Sequence, residues 1–345
     1  MTIGRTVFAT FKGDDKFIYA VSRVRVLETR LLDKDIIEDL IEARDINDIY
    51  RILSDTEYAE VLKELEETLD YERLLNWELI RVNYLIYKDS PEPYLTDLFH
   101  LRYDCQNVKR LLRANFLEEE ISENELSPSG LIEPIHLTEW IKQDYYRDLP
   151  EWLVRGIESA KKVYGERKEF GLIDAEIDKV MFARQMEKAR SYPHPFLEKY
   201  FSTAIDLTNI RVYIRIKLSE GSFDGFKSYF IPDGFLESPF FLEGWEKPLQ
   251  EQEKHFEKTD YKQIIEGFLS AYDEKKSLIP LDKLCEKHLF ALLEEGYLIT
   301  FGIEPIVNYL LRKEAEISRL RAIIALKSLN LDSKTIRERI GESFG

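Results

Sequence analysis

The residues of this chain with prospects for chemistry are few and scattered. Glu133 and His136 have the E-x-x-H spacing that places two metal-ligating side chains on one helix face, as a di-iron carboxylate site requires. Such a site needs a second copy of the motif, which the sequence lacks, and Pro134 stands between the pair. Capping or a solvated loop is the expected role. The other histidines, His100, His194, His255 and His288, form no HExxH. Carboxylates cluster at Asp33, Asp35, Glu38 and Asp39 and again at Glu118, Glu119 and Glu120. Converging from two helices into an apolar pocket, such groups hold magnesium. Here they alternate with Lys34 or fall at expected helix starts, where the backbone dipole favours negative charge. Solvated faces and caps are therefore expected. No GxGxxG and no GxxxxGK[ST] occurs, so no recognisable dinucleotide or phosphate-cradling loop is encoded. No local nucleophile motif supports Ser-His-Asp or Cys-His catalysis. The reading is a non-catalytic chain with no metal and no cofactor. A generic all-helical scaffold and a helical enzyme with an unrecognised carboxylate site stay open as alternatives.

The elements that would position any site are helical. Fifteen Gly and 12 Pro in 345 residues are about 8%, against roughly 12% in average usage. With 33% charged and 44% hydrophobic residues, this fits a globular, all-α chain of two or three units. A net charge of −16 argues against a nucleic-acid partner, whose phosphates need a basic surface. Cys105 and Cys285 lie 180 residues apart with no CxxC, which fits a reducing cytoplasm. The first fifteen residues carry Arg5 and Lys12 and lack the apolar core of a signal peptide. No uncharged run approaches the ~18 residues of a membrane span, so direct lipid insertion is not expected.

Periodicity predicts a first amphipathic helix over 17–31, its stripe formed by Tyr19, Val21, Val24, Leu27 and Leu31. Asp33 and Asp45 are placed to cap the short helices that follow. Long helices are expected at 71–87 and 94–117, separated by Asp89-Ser90-Pro91-Glu92-Pro93, and further ones at 174–190, 196–218, 281–294 and 304–327. The densest aromatic stretch, Ser228 to Phe235 with Phe240 and Phe241, could anchor partner helices, but filling gaps between hairpins is the favoured reading.

A threefold internal repeat organises these helices. Asp104, Asn107 and Lys109 recur as Asp206, Asn209 and Arg211, then as Glu316, Arg319 and Arg321. Apolar positions follow: Cys105, Val108 and Leu112 match Leu207, Ile210 and Ile214, then Ile317, Leu320 and Ile324. Upstream, Thr56-Glu57-Tyr58 matches Thr259-Asp260-Tyr261, with Glu151-Trp152 at the middle place. Ser127 to Glu133 resembles Ile231 to Glu237. The units run approximately 1–117, 118–218 and 219–345. The acid and base flank the apolar stripe on opposite sides, so two readings stand: each acid faces a basic group on a neighbouring element, or each charge snorkels to solvent.

These residues also resemble a known family. Tyr19-Ala20-Val21-Ser22-Arg23-Val24-Arg25, Leu31-Leu32 and Leu53-Ser54-Asp55-Thr56-Glu57-Tyr58 resemble the opening of the C subunit of V/A-type rotary ATPases, the counterpart of the d subunit in the eukaryotic vacuolar proton pump. Asp104-x-x-Asn107-x-Lys109-x-x-Leu112-Arg113 and the turn Pro232 to Gly234 are similar to further family landmarks. The resemblance runs from about Lys16 to Leu331. The first fifteen residues and the longer third-hairpin connection depart from it. It implies three pseudo-symmetric helical-hairpin units forming a funnel with a central cavity. It also implies a single-copy, non-catalytic adapter between the central-axle subunits and the membrane proteolipid rotor ring. Such an adapter is peripheral on the inner face of the membrane and serves ATP-linked proton or sodium transport.

Overall fold

A computed structural model describes residues 15–64, 70–122, 125–192, 195–297, 299 and 302–340. The N-terminal stretch read above for a leader, up to residue 14, and His194 lie outside the described residues. Helices make up all the regular structure among the described residues. The chain divides into two compact bodies: a terminal body of Met1–Asp97 with Leu293–Gly345, and a middle body of Leu98–Leu292.

The terminal body begins with α1 (Ile18–Glu28), α2 (Lys34–Glu42), α3 (Ile46–Leu53), α4 (Ala59–Glu64) and α5 (Tyr71–Asp89). Asp33 caps α2 by accepting from the Ile36 N–H at 2.9 Å, and Asp45 caps α3 by accepting from the Asp48 N–H at 3.0 Å. Both carboxylates sit where the helix leaves backbone donors unpaired, as the sequence predicts. Asp70 does the same for α5 through the Glu72 N–H. The Asp89-to-Pro93 stop works as expected: Ser90 closes α5, and Pro93 opens α6 (Pro93–Leu117), where a missing N–H costs nothing. The stripe on α1 differs in part from expectation. Ala20, Val21 and Val24 are buried, whereas Tyr19 is exposed. Val21 and Val24 face the core as expected, Leu27 and Leu31 are half-buried, and Ala20 takes the place expected of Tyr19.

The middle body continues with α7 (Pro134–Lys142), α8 (Glu151–Arg167), α9 (Phe170–Ser191), α10 (Pro195–Leu218), α11 (Phe223–Tyr229), α12 (Ser238–Trp245), α13 (Gln252–His255), α14 (Lys262–Lys275) and α15 (Ile279–Tyr297). α9 packs against α8, α10 and α11, which is why it is buried on most of its circumference rather than along one stripe. The chain then returns to the terminal body with α16 (Glu304–Ser328), which lies against α1, α3 and α5, and with α17 (Ser333–Ile340), which packs on α2 and α16.

The aromatic stretch meets the gap-filling reading in part: Phe241 is buried in the middle body, and Phe230 and Phe240 pack against the same cluster. Phe226, Phe241, Phe256 and Phe268 join Tyr213 in one buried cluster with Ile210, Ile214 and Ile265. The Tyr213 ring meets Phe226 edge-on at 5.6 Å and Phe241 at 5.3 Å. Its hydroxyl is satisfied by Gln252 Oε1 at 2.9 Å, so the polar end costs little to bury. Phe235 is the exception, 60% exposed. Phe226→Ala is expected to cost about 3–5 kcal/mol in urea denaturation, and Phe235→Ala about 0.5 or less. Equal costs would mean that the cluster does not hold the middle body together.

Candidate functional site

The repeated acid and Asn each grip a turn. In α6, Asn107 binds Ser127 twice, donating from Nδ2 to its carbonyl and accepting its N–H at Oδ1, both at 2.8 Å. One helical turn back, Asp104 accepts the Leu131 N–H at 3.0 Å and the Ile132 N–H at 3.1 Å. In α10 the arrangement recurs. Asn209 donates to the Ile231 carbonyl at 2.7 Å and accepts its N–H at 2.9 Å. Asp206 accepts the N–H groups of Phe235 and Leu236, each at 3.0 Å. Two residues three apart on one helix face thus satisfy four backbone groups of a turn that makes no ladder of its own. Close approach dictates the glycine in each turn. A Cβ on Gly130 would lie 2.1 Å from Asp104 Oδ1, and one on Gly234 would lie 2.1 Å from Asp206 Oδ1.

Asp206 gains a third donor, the Tyr261 hydroxyl at 2.7 Å. Tyr261 is aimed by its own turn: Thr259 Oγ1 donates to the Phe256 carbonyl and accepts the Tyr261 N–H. Thr56 does the same between Leu53 and Tyr58. The Tyr58 hydroxyl donates to Glu316 Oε1 at 2.8 Å, and the Leu32 N–H donates to Glu316 Oε2 at 2.6 Å. Tyr261 therefore serves an acid 55 residues before it, and Tyr58 an acid 258 residues after it.

The third clasp departs from the others, because Arg319 stands at the Asn position. Its charge arrangement is different too. Lys313 Nζ, 1% exposed, lies 2.6 Å from Glu316 and 2.9 Å from Glu78, and 4.2 Å above the Tyr58 ring. Glu78 also pairs with Arg81, which reaches Glu57. Burial pushes the Lys313 ammonium down, but Glu316 and Glu78 together outweigh it and hold it above the ordinary lysine value.

The acids take no base from a neighbouring element in these contacts: Asp104 and Asp206 take backbone donors and Glu316 takes Lys313 of its own helix, while the repeated bases pair with other carboxylates. Lys109 pairs with Asp178 on α9, Arg211 with Asp282 on α15 at 3.1 Å, and Arg321 with Glu72 on α5 at 2.8 Å. The reason is reach. The acids are short, buried and already covered by backbone donors. The long bases extend past the stripe to carboxylates on α9, α15 and α5.

A family model for the ATP synthase (C/AC39) subunit matches residues 20–339, a span that holds every clasp and bridge described above. The chain belongs to the ATP synthase (C/AC39) subunit family. It is 26% identical to the C subunit of the A-type ATP synthase of Methanocaldococcus jannaschii, over 93% of this chain and 85% of that one. It is 26% identical to its counterpart in Methanococcoides burtonii, over 95% of each chain. It is 22% identical to the C subunit of the V-type sodium ATPase of Enterococcus hirae, over 93% of this chain and 97% of that one. As a member of the C/AC39 family the chain is a non-catalytic part of its ATPase complex.

The residues with prospects for chemistry occupy structural places in this C/AC39 chain. Pro134 is the first residue of α7 and Glu133 its N-cap, so the proline starts a helix here rather than breaking one. Glu133 and His136 are both exposed. Glu38 and Glu42 bind Arg337 of α17. Cys105 and Cys285 are buried, and burial raises both thiols, Cys285 to about 11. Among the described residues, no group of three or more His, Cys, Asp or Glu could hold a metal ion. Burial raises the clasp acids Asp104 and Asp206, and also Asp178 and Asp174, which pair with Lys109 and Arg113. Asp104 is pushed up to about 6 by burial, against the pull of the Ile132 and Leu131 N–H groups, and Asp206 is raised for the same reason. Their oxygens are taken by fixed donors, which leaves them structural.

Lys313→Met strands two carboxylates in a dry core. The expected cost in urea denaturation is about 3–5 kcal/mol, against about 0–1 for Arg321→Met at a half-exposed pair. Similar costs would remove Lys313 from its central place. The Asp104 clasp has a pH signature. A folded pKa above the ordinary carboxylate value means that the native state binds the proton more tightly. Its contribution to stability is therefore present below about pH 4 and lost as pH rises through about 6. Relative to Asp104→Asn, the stability of the unaltered chain is expected to fall by up to about 3 kcal/mol between pH 4 and 7. A pH-independent difference would contradict this.

Proposed function

We propose that this chain is the central-stalk adapter of a V/A-type ATPase, coupling the rotating axle to the membrane proteolipid ring for ATP-linked proton or sodium transport. In this reading the three repeats, 1–117, 118–218 and 219–345, are pseudo-symmetric helical hairpins that form a funnel with a central cavity. One copy sits against the inner face of the membrane, between axle and ring. The observation that carries the reading is the cyclic offset of the clasps. Each repeat's acid takes donors from the repeat that follows, and Glu316 takes them from Leu32 and Tyr58 of the first. A chain whose last repeat grips its first passes a twist applied at one repeat to all three. Family membership supports the rotary setting. Ion choice and ATP hydrolysis then belong to other chains.

Purification of the ATPase complex from native membranes should recover the chain once per complex, beside axle and ring subunits. The isolated chain should bind vesicles that carry the ring and leave bare lipid vesicles unbound. Tight binding to bare lipid, or absence from the purified complex, would overturn the adapter reading.

A further inference from the structure

The outer face of α5 is unlike its counterparts. Its exposed residues are Arg73, Trp77, Ile80, Tyr84, Tyr87 and Lys88, which at 100° per residue fall within one arc of about 100°. Tyr84 is 62% exposed and Tyr87 55%. The Arg73 guanidinium lies over the Trp77 ring at 5.3 Å. The carboxylates of this helix lie off that arc: Glu72 pairs with Arg321, Asp89 with Arg23, and Glu78 is buried beside Arg81.

Folding does not require Trp77 and Tyr84, the two large aromatics at the middle of this face. The clasp bases align Glu72 of α5 with Asp178 of α9 and Asp282 of α15. On that alignment Trp77 stands where α9 has Ala183 and α15 has Lys287, and Tyr84 stands where they have Arg190 and Glu294. All four of those residues are exposed as well. α9 and α15 thus fold with small or charged residues at these two positions, while at the place of Ile80 they keep the apolar Met186 and Phe290. A stripe of Trp and Tyr with Arg beside it, held on a rigid helix, has the composition of an interface centre.

We propose that the outer face of α5 docks a helix of a neighbouring subunit, one that presents an apolar stripe with carboxylates at both ends. This rests on the chain's being a subunit of the ATPase complex and is independent of the funnel. Charge complementarity selects the partner. Arg73 and Lys88 close the two ends of the stripe, about 22 Å apart along the axis, so matching carboxylates lie roughly four turns apart. A lipid surface suits a different layout, with cations along the flanks of a helix free to sink into the headgroups. Here the cations share the arc of the aromatics, and the opposite face of α5 is committed to the core through Leu74, Leu75, Leu79 and Val82.

The test places the photo-crosslinker benzoylphenylalanine at Tyr84, and as a control at Lys287, in the intact complex. Adducts are mapped by mass spectrometry. The expected result is an adduct from position 84, and none from 287, on a helix of another subunit with Asp or Glu at both ends of its contact stripe. Combining Arg73→Glu with Lys88→Glu should lower adduct yield several-fold while the chain stays in the complex. Adducts only to lipid, to a second copy of this chain or to a segment without acids would overturn the proposal, as would no adduct from a chain that is present in the complex. Absence of the unaltered chain from the complex would instead bring down the subunit reading beneath it.

Discussion

A turn that runs across the side of a helix has backbone N–H and carbonyl groups that can neither join a ladder nor reach water. The architecture of this chain depends on how those groups are satisfied. An Asp and an Asn one helical turn apart take four of them, and the cost of burying an uncompensated carboxylate is met by N–H dipoles rather than by a base. Dipoles are fixed in direction, so the clasp sets the register of the turn on the helix. A Lys or Arg at the same place would let the contact slide. Glycine in the turn follows from this geometry, since the carboxylate occupies the volume of a side chain.

The third clasp shows what happens when the arrangement changes. With Arg319 at the Asn position, one backbone N–H, a tyrosine hydroxyl and a lysine ammonium hold the acid, and a second carboxylate, Glu78, balances the lysine. The result is a buried charge network that tolerates no missing member, whereas the first two clasps are neutral apart from one acid each.

Much of this was legible in the sequence. The helices at 71–87 and 94–117 stand within two residues of their expected bounds, because Asp89 to Pro93 combines a cap with a helix-starting proline. The markers Asp104, Asn107, Asp206, Asn209 and Glu316 were identifiable by spacing, and so was the likeness of Ser127–Glu133 to Ile231–Glu237. The pairing between the two sets was not. Periodicity assigns a residue to a face of its own helix, and a flank position suits a base as well as it suits a turn. The glycine common to both turns was the available sign that something approaches closely there. On α1 the expected stripe included Tyr19, which is exposed, since apolar spacing alone does not distinguish a core face from a face presented outward.

The terminal body is assembled from the two ends of the chain, and this sets an order of events during synthesis. The clasps of Asp104 and Asp206 close over 27 to 30 residues of chain, so both can form while the ribosome is still elongating. Leu32 must wait for Glu316, 284 residues downstream. Through that interval α1 and α3 leave the ribosome without the helix that buries them. The nascent chain therefore carries an uncovered apolar surface until α16 emerges, one that calls for a chaperone or for an early docking partner. The step that shields it is the emergence of α16.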